Sequence, residues 1–142
     1  MTLAKGLGGG LPIGACLANH RADVFEPGDH GSTFGGNPLA CSAAAAVLHV
    51  IERDGLVGHA AEMGELLQSS LGELGAKDVR GVGLMQAFEF DDAKAKPFQQ
   101  ACLDSGLIVN AVDDHSVRLV PPLIITAEQI DRAHPIMRKA AG

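Results

Sequence analysis

The chain contains no tryptophan and no tyrosine, and aromatic residues make up only 4% of its 142 positions. Basic residues are also scarce, 11 against 17 acidic, which gives a net charge of −6. With neither a basic footprint nor aromatic platforms for stacking bases, a nucleic-acid partner is excluded as the main expectation. No long hydrophobic run occurs. The longest, Leu39 to Leu48, reaches about half of the ~20 residues that a membrane helix requires, so no membrane partner is expected. Three cysteines, Cys16, Cys41 and Cys102, form no C-x-x-C pair and cannot all be paired with each other; a reduced, cytoplasmic setting suits them best. H-E-x-x-H is absent and the six histidines are scattered, so no metal site is expected. A G-x-S-x-G elbow, a G-x-x-x-x-G-K-[ST] loop and a G-x-G-x-x-G turn are missing too.

Hydrophobic residues make up 46% of the sequence, enough to bury a core in one ordinary domain, or in a small domain with a piece of another. The most unusual stretch is Ala4-Lys5-Gly6-Leu7-Gly8-Gly9-Gly10-Leu11-Pro12-Ile13-Gly14-Ala15, a single lysine among small and apolar residues. A lysine on an apolar, water-poor surface is held more in its neutral form, the nucleophile that forms Schiff bases with carbonyls. Glycines beside it would let a bulky ligand lie against the main chain. The residues alone leave open a flexible connector with a solvated lysine. A run from Lys5 to Cys16 superficially like a lipoprotein signal is interrupted by Pro12 and the glycines, so export is not expected.

Along the chain, Pro12 to Ala18 reads as a short buried strand and Arg21 to Phe25 as one helical turn before Pro27. Residues 26–37 read as a loop, and Asn37-Pro38 as an N-cap followed by proline at the first helical position. The helix from Pro38 to about Arg53 is apolar on nearly every face and is expected to be buried; Gly55 ends it. A second helix, Leu56 to about Leu74, has an apolar stripe at 56, 60, 63, 67, 71 and 74, with His59 beside it as a surface or cap residue. Strands are expected at Lys77–Val82, Leu84–Phe90, Leu107–Val109 and Val117–Val120, and a helix at Ala93–Asp104. Thr126 to Gln129 is a capping box opening a last helix, with Ile130, Ala133 and Met137 inward. This order predicts an α+β domain, a small and mostly antiparallel sheet covered by helices.

Two further places could carry chemistry. Ser32 and Thr33 lie in a glycine-flanked loop whose hydroxyls and N–H groups could bind phosphate, or simply form a Ser/Thr turn. Arg118 sits in the apolar run Val117 to Ile124, where its charge needs either an acidic neighbour, water at a sheet edge, or a ligand carboxylate held bidentately.

Taken together, the Lys5 segment, His30-Gly31-Ser32-Thr33-Phe34-Gly35-Gly36-Asn37-Pro38-Leu39-Ala40-Cys41, Val79 to Met85 with Glu89, and Arg118-Leu119-Val120-Pro121-Pro122-Leu123 resemble the class III (ornithine-type) aminotransferases of fold type I. The resemblance covers essentially the whole sequence and is strongest to the acetylornithine branch. It implies pyridoxal 5'-phosphate as cofactor, Lys5 as the catalytic, cofactor-binding lysine, Thr33 as a cofactor-phosphate ligand across a dimer interface, Ser32 as a substrate contact, and Arg118 as the arginine that binds the substrate α-carboxylate. N-acetylornithine and 2-oxoglutarate are then the implied substrates, in arginine biosynthesis, with ornithine, succinylornithine, succinyldiaminopimelate and 4-aminobutyrate as alternative donors. A homo-oligomer is implied as well. By the same resemblance, residues 1–36 correspond to the tail of the large α/β domain, 37–54 to an interdomain helix, and 55–142 to the C-terminal small domain. The family's aspartate for the pyridine nitrogen, its ring-stacking aromatic and its Gly/Ser-Thr phosphate loop match nothing in these residues. Little aminotransferase activity is therefore expected of the 142 residues alone, and a non-catalytic folding or oligomerisation module is the alternative.

Overall fold

A computed structural model describes all 142 residues. The chain forms two compact units, Met1–Gly55 and Leu56–Gly142.

In the first unit, β1 (Thr2–Leu3) pairs antiparallel with β2 (Ala15–Cys16), Thr2 facing Cys16 and Leu3 facing Ala15. Between them Lys5–Gly8 winds into a single 3-10 turn. The buried strand expected over Pro12–Ala18 is therefore only two residues long and exposed, because its partner β1 ends where that turn begins. Nor is there a helical turn at Arg21–Phe25. Asn19 Oδ1 instead accepts the N–H groups of Arg21 and Ala22, at 3.0 and 3.2 Å, and closes a turn at Ala22.

Helix α1 (Pro38–Arg53) begins as the sequence predicts: Asn37 Oδ1 accepts the Ala40 N–H at 3.0 Å, with proline at the first helical position. Its expected burial is corrected. Only Ala40 and Ala44 are buried, while Leu39 is 69% and Leu48 52% exposed. The material packed on it within this unit is the turn after Lys5, met by Val47, which is too little to cover a helix apolar on all sides.

In the second unit, α2 (Leu56–Gly72) buries Leu56, Leu67 and Leu71 along its predicted stripe, together with Gly64. Strands β3 (Lys77–Val82) and β4 (Met85–Glu89) form a hairpin, followed by α3 (Ala95–Asp104), β5 (Asn110–Ala111), β6 (Ser116–Leu119) and α4 (Ala127–Ala141). The sheet order is β3-β4-β6-β5, antiparallel throughout. This is the α+β arrangement the sequence predicts. Leu107–Val109 is not a strand, however: the Leu107 N–H donates to Cys102 O at the end of α3, and pairing with β6 starts only at Asn110.

The core gathers Leu71 from α2, Phe88 from β4, Phe98 and Cys102 from α3, Val117 from β6, and Ile130 and Met137 from α4, all at most 2% exposed. Phe88 and Phe98 meet edge to face at 5.7 Å; burying such a ring contributes about 1.5–3 kcal/mol. Thr126 and Gln129 complete the capping box of α4. Pro135, inside α4, removes one helical N–H. His59 is half-buried rather than at the surface, and its Nε2 lies 2.7 Å from Ile125 O. A carbonyl only accepts, so Nε2 carries the proton and ties α2 to the segment before α4.

Candidate active site

Lys5 opens the 3-10 turn, one residue (Ala4) after β1, and adopts φ 52°, in the left-handed region that non-glycine residues rarely occupy. Holding it there costs of order 1 kcal/mol, and such strain concentrates at functional positions. Its side chain is exposed and takes part in none of the ion pairs of the chain. The water-poor surface anticipated around it is thus not provided by these residues. A Cβ added at Gly6, the next residue, would meet nothing within 4 Å, so the main chain beside the amine is open to a flat ligand.

The loop before α1 is held by short-range hydrogen bonds. Ser32 Oγ accepts the Gly35 N–H at 2.9 Å, and Asn37 Nδ2 donates to Phe34 O at 3.0 Å. A Cβ at Gly35 would stand 2.7 Å from Ser32 Oγ, which is why glycine follows the serine there. Thr33, between these ties, is exposed, and its hydroxyl makes no hydrogen bond within the chain. Ser32 keeps its own O–H free to donate, since only its oxygen is engaged.

Arg118 is on β6, opposite Ala87 of β4 and Asn110 of β5. The burial its apolar neighbours suggested does not occur: Val117 and Leu119 are buried on one face of the sheet and Arg118 is exposed on the other. That alternation, period two, is what an antiparallel strand with one covered face imposes. Further along the same cross-strand row Arg80 takes both acids, Asp78 and, at 2.7 Å, Glu89. Arg118 has no acidic partner. With Asn110 it borders a cavity of about 330 Å³ whose other walls include Leu67, Leu107, Leu119 and Met137. An exposed guanidinium without an acidic partner is free to take a ligand carboxylate bidentately.

Lys5, Ser32 and Thr33 thus share the first unit, and Arg118 belongs to the second. A free amine beside open main chain fits a carbonyl compound, and, as a separate feature, a free hydroxyl in a glycine-flanked turn fits a phosphate. No group of three or more His, Cys, Asp or Glu side chains is arranged to hold a metal ion. Sequence reasoning missed the second hydrogen bond of Asn37 and the place of Asn110 beside Arg118. The first is hinted at by the two glycines before Asn37; the second depends on strand register, which no local pattern encodes.

Residues 1–141 match the family model described as aminotransferase class-III. The chain belongs to the class-III aminotransferases. Members of this family are pyridoxal-phosphate enzymes acting on amino acids and keto acids. This class-III aminotransferase chain is 50% identical over 138 residues to the acetylornithine aminotransferase of Archaeoglobus fulgidus, covering 96% of the chain and 36% of that protein. It is 46% identical over 142 residues to the acetylornithine aminotransferase of Caldanaerobacter subterraneus, again with 36% of the relative covered. Among solved structures, acetylornithine aminotransferase from Elizabethkingia anophelis superposes with a TM-score of 0.89 at 39% identity, over 98% of this chain and 37% of that one. Ornithine δ-aminotransferase from Plasmodium falciparum superposes equally well, 0.89 at 40% identity, over 99% and 39%. The chain therefore spans a little over a third of the length of the curated relatives it matches. No helix is long and apolar enough to cross a membrane.

Proposed function

We propose that this chain carries the lysine segment and the carboxylate-binding domain of an enzyme that transfers the terminal amino group of N2-acetyl-L-ornithine to 2-oxoglutarate, a step of arginine biosynthesis in the cytoplasm. The observation that carries the reading is Lys5: an exposed amine without an ion-pair partner, held in a left-handed conformation next to the open main chain of Gly6. Both curated relatives described above bear the name acetylornithine aminotransferase, which favours that donor over ornithine, succinylornithine, succinyldiaminopimelate or 4-aminobutyrate.

When bound, pyridoxal phosphate would supply an electron sink for the substrate carbon beside the reacting amine. Lys5 Nζ would hold the cofactor through its carbonyl carbon and, as a free amine, would serve as the base for the proton at the substrate carbon. Thr33 Oγ1 would donate to the cofactor phosphate of a second copy, which makes a homodimer part of the proposal. Ser32 donates its free O–H to substrate while its oxygen keeps the Gly35 N–H. Arg118 clamps a substrate carboxylate with two parallel N–H donors, its own charge having no competing acid nearby. In this reading 1–36 belong to the large cofactor-binding domain, 37–54 to the helix between domains, and 55–142 to the small domain.

Titration with pyridoxal phosphate and, separately, with pyridoxal tests the assignment. Saturable binding that requires the phosphate and is abolished by Lys5→Ala supports it; equal, unsaturable uptake of both compounds by both proteins rejects it. Turnover of acetylornithine by the 142 residues alone is expected to be no greater than with free cofactor, because no residue here corresponds to the family's partner for the pyridine nitrogen.

A second reading, a module for folding and self-association without catalysis, is favoured by the apolar surface of the first unit: Leu17 is 50%, Val24 74%, Phe25 73%, Phe34 82%, Leu39 69% and Leu48 52% exposed. It predicts oligomers in sedimentation at micromolar concentration and no phosphate-dependent cofactor binding.

A further inference from the structure

Thr33 is useful to a phosphate only if the short segment around it is held still, and three hydrogen bonds do this holding. Ser32 Oγ takes the Gly35 N–H at 2.9 Å, Asn37 Nδ2 donates to Phe34 O at 3.0 Å, and Asn37 Oδ1 takes the Ala40 N–H at 3.0 Å. Gly36 between them is in the left-handed region, φ 69°, so the chain reverses immediately before Asn37. Within this set Asn37 is the side chain bonded both to the turn that contains Thr33 and to the first turn of α1. Its oxygen and its nitrogen have separate tasks. The oxygen caps the helix, as serine or aspartate would; the nitrogen grips the carbonyl of the residue after Thr33, which neither can do as an amide donor.

We propose that Asn37 is a positioning residue for phosphate recognition: through Nδ2 it fixes the Thr33 turn to the rigid start of α1, so that the Thr33 hydroxyl and the neighbouring N–H groups stay turned outward to one phosphate. This deepens the assignment of Thr33 made above and rests on it. A helix cap alone explains the bond to Ala40 but not the bond to Phe34. The preorganisation is what lowers the ordering cost of binding.

Asn37→Ser separates the two tasks, because serine caps a helix about as well as asparagine and has no amide donor. The 142-residue chain and this variant are compared in three measurements: thermal unfolding by circular dichroism, backbone amide spectra of the free protein, and dissociation constants for pyridoxal phosphate and for pyridoxal. The expected result is an unchanged midpoint, displaced amide signals for Thr33 to Gly36 with that of Ala40 in place, and affinity for pyridoxal phosphate weakened about tenfold with pyridoxal unaffected. Unmoved signals at Thr33 to Gly36, or an equal loss of affinity for both compounds, overturns the role of Asn37. Thr33→Ala keeps the parent assignment distinguishable: if it selectively weakens pyridoxal phosphate while Asn37→Ser does nothing, Thr33 stands and the proposal falls. If neither variant nor the wild-type chain distinguishes the phosphorylated compound, the phosphate assignment falls and takes the proposal with it.

Discussion

Gly64 offers the sharpest test of how the second unit is packed. It lies in the middle of α2, fully enclosed, and an ideal Cβ there would be 2.3 Å from Gly83 O, 2.5 Å from Gly83 C and 2.7 Å from Gly83 Cα. All three are main-chain atoms of the β3–β4 turn, so no side chain can swing away, and the turn would have to withdraw by about 1 Å to restore ordinary contact. Alanine favours a helix over glycine by about 1 kcal/mol. Overpacking a tight contact costs about 1–3 kcal/mol, and an obstruction by backbone belongs at the upper end. Gly64→Ala should therefore lose about 2 kcal/mol net, with the midpoint falling by about 4 °C for each kcal/mol. Gly58 is the control: it is in the same helix, and a Cβ there meets nothing within 4 Å. Gly58→Ala should gain up to about 1 kcal/mol from propensity alone. Far-UV circular dichroism is the suitable probe, since the chain has no Trp or Tyr to report by fluorescence. A Gly64→Ala variant as stable as wild type would refute the close approach of α2 to the hairpin turn.

Cys102 is enclosed in the core, and burial pushes its thiol up to about 11 from 9.0. Cys16 and Cys41 are exposed, so a thiol reagent should titrate two groups in the native protein and three after unfolding; three fast groups would contradict the core. Since the folded value is raised, the stability linked to Cys102 is fully present below pH 9 and is lost as pH rises through 11, a loss that Cys102→Ala should remove from the alkaline limb of a pH–stability curve. The Asp113 carboxyl is held below its usual value by the N–H groups of His115 and Ser116, so its contribution is present above the ordinary aspartate range and fades as pH falls through the lower folded value; Asp113→Asn should flatten that part of the acid limb. Thr126→Ala removes the Oγ1 that accepts from Gln129 N and should cost about 1 kcal/mol in the same unfolding assay. Titration with 2-oxoglutarate should displace the Arg118 side-chain N–H signals, and Arg118→Gln should abolish this response; a response that persists would assign the carboxylate to another group.

Local patterns made much of this fold legible. Asn37-Pro38, the capping box at Thr126 and the stripe of α2 are interactions among residues at most a few turns apart, so sequence spacing alone specifies them. Two of the failures share one physical origin. Pro12–Ala18 has the composition of a buried strand, and α1 the composition of a buried helix, yet the first unit contains too little material to cover either. Leu107–Val109 fails differently: its apolar run suits a strand, but the end of α3 takes its N–H first. For the candidate site, Lys5, Ser32, Thr33 and Arg118 were recognisable as residue types in motifs. Their exposure was not: that of Arg118, for example, follows from which face of β6 is covered by helices, a matter of tertiary packing.

The central claim is that Lys5 is the amine that selects the cofactor, and borohydride trapping tests it most directly. Incubation of the chain with substoichiometric pyridoxal phosphate, reduction, and peptide mapping should place the label on the peptide that contains Lys5, with Lys77, Lys94, Lys96 and Lys139 essentially unmodified. Labelling spread evenly over all five lysines would mean that the strained conformation and open main chain at Lys5 confer no selectivity, and would contradict the account.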